Sequence, residues 1–345
     1  MRLPIKAFFK SSRLLNRSRL LFLLPIFGFF AMAPFVPPKN APPNLPLLRI
    51  NPQQYEIRIT VRNKNRTTGW PVLPQTNWSY TTSAKAYNLF NNKELPYTIE
   101  NLRDERQCKI ILAERDYTLV LRSVAFESSL NTEMAEAIRW PTKWIQDVSA
   151  YLKPSRYIES EDKIFRKAIQ DCKLPQNASI QRTAKAILRY CLENIQSNGS
   201  FTHEKDGVTT GIKVTGALHA IKETQEKRQG SAADLVCVCV ATLRAANIPA
   251  RPVIGVTNSN MLGQRLKHPH YTVWGEYHLP DAGWVPFITN RMSGSIDNVP
   301  FNESWQGLGS IRIMNKRVPL AYNFECFDLD RATQEIQMTY IGSVE

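Results

Sequence analysis

The sequence predicts an α+β fold, on three observations. Tyr55, Ile57, Ile59 and Val61 alternate with Glu56, Arg58, Thr60 and Arg62, the period of two expected of a strand with one buried face. Ile180, Ala184, Ile187, Leu188, Cys191, Leu192 and Ile195 recur at helical spacing, which predicts one long amphipathic helix with Cys191 in its apolar stripe. Strand-like patterns return at 253–256, 271–277 and 336–340. Helices first and strands later, in the second part of the chain, point to α+β rather than to alternating βα units.

Composition narrows the function classes. The chain has 345 residues, 43% of them hydrophobic and 21% charged, so it can bury a core and is neither disordered nor a small disulfide scaffold. Its six cysteines show neither CxxC spacing nor accompanying histidine pairs, which argues against a zinc module. The formal charge is +14, but six of the basic residues (Arg2, Lys6, Lys10, Arg13, Arg17 and Arg19) precede residue 20 with no acid among them. No basic run is interleaved with aromatics, so a solvated basic surface is expected and no nucleic-acid partner.

Taken in order, the chain opens with an address. Residues 20–36, LLFLLPIFGFFAMAPFV, carry no charge over 17 positions and follow the basic stretch. That length sits at the short edge of a membrane span. The flanking charges keep the N-terminus cytoplasmic and place the rest of the chain outside. Ala31, Met32 and Ala33 have the form of a signal-peptidase site, but Pro34 disfavours cleavage. Residues 1–36 are therefore expected to form an uncleaved signal anchor in the inner or plasma membrane, with the folded part periplasmic or extracellular. Six prolines between 34 and 46 favour an extended, semi-rigid spacer, so 37–47 is assigned as a linker.

Residues 48–150 are expected to form a β-sandwich-like domain. The alternation at 55–62 is joined by a more buried run at 117–121, and turn chemistry at 63–69 and 91–92 separates the strands. The second domain, 151–345, begins with helical texture. Ser160 reads as a helix cap ahead of Ile164, Phe165, Ala168 and Ile169. The segment VCVCV at 236–240 favours a strand by propensity alone. His268 and His270, as His-Pro-His, read as a surface loop rather than a metal pair, since no third ligand is evident.

The stretch 230–290 carries a resemblance. Leu243-Arg244-Ala245-Ala246-Asn247-Ile248-Pro249-Ala250-Arg251, then Trp274 and Glu276, then Gly283-Trp284-Val285-Pro286 are similar to motifs of the transglutaminase-like superfamily. Residues 151–158 and 216–218 look like family lead-in segments. The resemblance implies a papain-like transglutaminase core preceded by a β-sandwich domain, and a helix rather than a strand at 236–240. It also implies a cysteine nucleophile at a helix N-terminus, a histidine base on a neighbouring strand and an aspartate that orients it.

All three catalytic positions are replaced. Counting from the anchors, the cysteine position is Ala232, the histidine position Thr272 and the aspartate position Ile288. Alanine offers no nucleophile, threonine is no base near neutral pH, and isoleucine cannot orient one. The resemblance therefore implies a catalytically inactive pseudoenzyme, kept as a binding or assembly module for a peptide, protein or cell-wall ligand, with no metal and no cofactor.

A rebuilt hydrolase is the alternative. Ser231 neighbours the vacant position, and His270 shares a strand face with Thr272, ~6.6 Å along. Asp234, Trp274 and Glu276 complete this candidate cleft, with Arg251 and Trp284 as further lining. Against it, Ser231 is placed to cap the helix. Cys239, two helical turns beyond Ala232 and ~10 Å deeper, should be buried and inert. Large aromatics plugging the groove would instead point to a purely structural surface protein.

Overall fold

The alternation read at 55–62 belongs to the longest strand of the largest sheet. The computed structural model describes residues 45–62, 70–72, 75–102, 107–174, 177–197, 201–205, 208–222, 229–260, 263–296, 298–324 and 333–344. The expected anchor at 1–36 and most of the linker at 37–47 lie outside the described residues. Among the described residues no helix is long and apolar enough to cross a membrane.

Seven strands come first: β1 (Leu47–Arg62), β2 (Trp70–Val72), β3 (Ser79–Asn88), β4 (Glu94–Leu95), β5 (Thr98–Leu102), β6 (Gln107–Ile111) and β7 (Asp116–Leu130). Tyr55, Ile57, Ile59 and Val61 are buried along β1 while Arg58 and Arg62 are exposed, as the period of two requires. β1 pairs antiparallel with β7, and β7 with β3. β2, β6 and β5 form a separate three-stranded sheet.

Helices follow: α1 (Thr132–Ala137), α2 (Gln146–Ser149), α3 (Lys163–Asp171) and α4 (Ile180–Asn194). The expected cap at Ser160 is corrected. Asp162 is the N-cap of α3, its side chain accepting from the Ile164 amide at 3.0 Å, because a carboxylate two residues before the second helical position is in reach. α4 starts at its Ser179 cap and buries Ile180, Ala184, Ile187, Leu188 and Cys191.

The rest of the chain runs β8 (Gln196–Ser197), β9 (Thr202–Lys205), β10 (Val208–Ile212), α5 (Ala217–Lys222), β11 (Gln229–Gly230), α6 (Ala232–Ala245), β12 (Ala250–Ser259), β13 (Arg265–Leu279), β14 (Gly283–Phe287), α7 (Thr289–Ile296), β15 (Arg317–Ala321) and β16 (Thr333–Ser343). A four-stranded sheet takes the order β14-β13-β12-β15. The seven-stranded sheet takes the order β4-β3-β7-β1-β16-β10-β9, so strands from the far half of the chain complete the sheet begun by β1. Ser128 on β7 also exchanges backbone hydrogen bonds with Ile311, at 3.3 and 2.9 Å. One continuous core runs from Leu47 to Met338.

The propensity-based strand at 236–240 is corrected: these residues lie in α6. Every residue from Ala233 to Arg244 is buried, so α6 is the central helix, apolar on all sides, where tertiary packing overrides β-propensity. Its C-terminus closes with the Asn247 amide bonding Arg244 O and the Ile248 amide bonding Leu243 O, at 2.9 Å each. Asn247 takes the left-handed conformation that this closure needs, at φ +61°.

The His-Pro-His loop is also corrected. His268 and His270 lie within β13, which begins at Arg265. Pro269 is tolerated because the β12–β13 ladder breaks register there, between Thr257 and Ser259, and β14 pairs only with residues 275–279.

Candidate functional site

The N-terminus of α6 is built by a reciprocal capping box. Ser231 Oγ accepts from the Asp234 amide at 3.2 Å, and Asp234 Oδ2 accepts from the Ser231 amide at 3.0 Å. The Ser231 hydroxyl lies 2.7 Å from Lys213 O and 2.9 Å from Asp234 Oδ2. Asp234 Oδ1 accepts from the amides of Thr215 and Gly216 at 2.8 and 3.0 Å, and from Thr215 Oγ1 at 3.1 Å. The pair ties the 213–216 segment to the helix start. Asp234 is buried, so it holds the scaffold rather than lining an open cleft.

The three positions counted from the motif anchors lie on α6, on β13 and between β14 and α7. Ala232 is the first residue of α6 and is partly buried. Thr272 is buried on β13, and Ile288 is buried between β14 and α7. Thr272 has a partner that sequence reasoning missed. Arg317, the first residue of β15, reaches across β12 and donates from Nη1 to Thr272 Oγ1 at 2.7 Å. It lies 45 positions from Thr272 in sequence, outside any motif, and no local signal marks it.

The expected cleft residues further along β13 are packed into the interior. Trp274 and Glu276 are 0% and 1% exposed. Glu276 Oε2 accepts from Arg251 Nε at 2.9 Å and pairs with Nη2 at 2.7 Å, while Oε1 accepts from Trp274 Nε1 at 3.2 Å. The Arg251 guanidinium lies 3.8 Å from the Trp284 ring centre and 3.7 Å from that of Tyr322. Arg251, Trp284 and Glu276 therefore form a closed cation–aromatic cluster instead of groove lining. Glu276 orients Arg251. His270 is partly buried on β13, next to the ladder break.

Cys237 and Cys239 are fully buried, and burial pushes both thiols well above the ordinary range, so neither supplies a thiolate. Among the described residues no three His, Cys, Asp or Glu side chains gather as a metal site requires.

His278 packs edge-on against Trp144 and Trp284, with ring centres 5.7 and 5.2 Å away. Burial, and then Arg251, lower its pKa to about 4. An unfolded histidine titrates near ~6.5, so in the window between the two values the unfolded chain binds a proton that the native state does not. Stability conferred by neutral His278 is thus present above that window and lost as pH falls through it. Acidification from pH ~6.5 to ~4 should remove about 2–3 kcal/mol of unfolding free energy, allowing for partial exposure. Urea titrations across this range should show a flatter profile in His278→Phe; equal slopes in both proteins would refute the assignment.

Residues 167–288 match the family model of the transglutaminase-like superfamily, and this segment is a transglutaminase-like domain. An uncharacterized protein from Haemophilus influenzae is 24% identical over 260 residues, covering 68% of this chain; the match spans 66% of that protein's length. A candidate cysteine protease from Cytophaga hutchinsonii superposes with a TM-score of 0.58 at 15% identity, over 87% of this chain and 94% of that one. That likeness shows a shared fold. The periplasmic domain of TgpA from Pseudomonas aeruginosa is 14% identical over 71% of this chain and 91% of its own, with a TM-score of 0.38.

Proposed function

We propose that this chain is an exported, membrane-anchored protein whose transglutaminase-like core is catalytically inactive and serves as a binding or assembly module. The observation that carries the reading is a division among the motif residues. Those retained hold the scaffold: Arg251 with Glu276, Asp234 in the capping box, and Arg244 on the Ala250 and Lys153 carbonyls. Those that would perform acyl transfer are Ala232, Thr272 and Ile288. The apolar stretch at 20–36 behind its basic flank supports the anchor and the export of the folded part.

Nothing favours a hydrolase rebuilt on Ser231. Its hydroxyl is committed to Lys213 O and Asp234, and Glu276 to Arg251 and Trp274. A purely structural surface protein is a second reading, favoured by the burial of Trp274 and Trp284.

The test is an assay of the full chain in detergent for hydrolysis and transamidation of peptide and cell-wall amides. No turnover above the protein-free control is expected. Turnover that disappears in Ser231→Ala or His270→Ala would overturn the reading.

A further inference from the structure

A cleft of 810 Å³ opens beside the C-terminal end of α6, lined by residues of the 141–152 segment and by Asn247. Ala232 stands at the other end of that helix, ~20 Å away at 1.5 Å per residue. The volume falls in the range of clefts that hold a ligand the size of a drug or a short peptide.

The apolar part of the cleft is fixed in place. Trp144 donates from Nε1 to Asn247 O at 3.0 Å and packs edge-on against His278, so the indole cannot swing away. Leu152 packs against the core. Ile145, on the same cleft, is 66% exposed. Among the described large hydrophobic side chains only Phe90 is more exposed. An isoleucine left in water on the wall of a cleft is area that an apolar ligand group would cover.

The polar part is unspent. Lys143, Gln146 and Asn247 are exposed and line the same cleft, and none of these side chains bonds to a described residue. No carboxylate among the described residues lines it, so the Lys143 ammonium is an unanswered charge. An ammonium has three donors and no acceptor, and its match is an anion. A side-chain amide carries a donor and an acceptor, which match the C=O and N–H of a peptide bond. The end of a peptide chain brings a carboxylate, a side chain and an amide together within one residue.

We propose that this cleft binds the C-terminal end of a peptide or protein chain whose last residue is hydrophobic. Lys143 meets the carboxylate, Gln146 and Asn247 the adjoining peptide bond, and Ile145, Trp144 and Leu152 the terminal side chain. The inference rests on the reading of the core as a binding module and names a ligand class for it. Its failure would leave the absence of turnover untouched, because the hydrolysis and transamidation assay scores that separately.

The test is fluorescence anisotropy of the full chain in detergent with N-terminally fluorescein-labelled Gly-Ser-Gly-Ala-Leu, as the free acid and as the C-terminal amide. The acid should bind saturably below about 1 mM and roughly threefold to fivefold more tightly than the amide, the gain expected of one solvent-exposed ion pair. Lys143→Gln should erase the preference for the acid while leaving the affinity for the amide unchanged. Ile145→Ser should weaken both peptides alike, by roughly fivefold, as loss of apolar contact requires. Both side chains are exposed, so neither variant disturbs the core. The proposal is overturned if acid and amide bind equally well, if Lys143→Gln keeps the preference, or if neither peptide binds saturably.

Discussion

Glu276→Ala is expected to lower the unfolding free energy by about 3–5 kcal/mol, because it strands Arg251 in the interior without its carboxylate. The two side chains are 4% and 1% exposed, so water cannot replace the lost partner. Trp274 Nε1 also loses its acceptor, Glu276 Oε1. The physical claim is about an uncompensated charge, not about the pair being worth that much. Removing both charges should therefore recover most of the loss, and Arg251→Met/Glu276→Leu should lie within about 1 kcal/mol of wild type or above it. Urea unfolding of the two single variants and the double variant completes the cycle. A cost under ~1 kcal/mol for Glu276→Ala would refute the cluster as described.

The second large effect concerns two glycines where strands carry an aromatic ring in place of a side chain. A Cβ at Gly255 would lie 2.4 Å from Val318 O and 2.8 and 2.9 Å from two ring carbons of Trp274. A Cβ at Gly275 would lie 2.0 Å from Cζ of Phe287, the residue directly opposite it on β14. Trp274 and Phe287 are both fully buried, and Val318 O is backbone of the adjoining strand β15, so neither site can yield by rotating a surface side chain. Gly255→Ala and Gly275→Ala should each cost about 1–3 kcal/mol or more. Gly255 should be the worse, since a backbone carbonyl blocks it. Gly294, exposed on α7 with open space where its Cβ would go, is the control. Gly294→Ala should be neutral or stabilising by about 0.5–1 kcal/mol. Denaturation midpoints ranking Gly294→Ala below either strand variant would contradict this packing.

The candidate site was legible in the sequence in one respect and opaque in another. Counting from Asp234, Trp274 and Trp284 singled out Ala232, Thr272 and Ile288, and the structure has them at the start of α6, on β13 and after β14. The side chains expected to line a cleft were misjudged. Trp274, Glu276 and Arg251 carry polar or amphipathic groups that suggest solvent, but in the fold those groups satisfy one another and the whole cluster is buried. Spacing says which residues share a face. It does not say whether that face meets water.

The same distinction holds for the fold. Periodicity alone determined β1 and α4, since each buries one face and the repeat of that face is written locally. That alanine, threonine and isoleucine stand at 232, 272 and 288 is likewise a fact of sequence. Three features were decided only by tertiary structure. VCVCV lies in a helix because α6 is enclosed on every side, which removes the amphipathic signal that would have marked it. β16 enters the sheet begun by β1, a pairing across nearly 300 residues that no local pattern encodes. Arg317 meets Thr272 because β12 sets β13 and β15 on its opposite edges, which brings together two residues 45 positions apart.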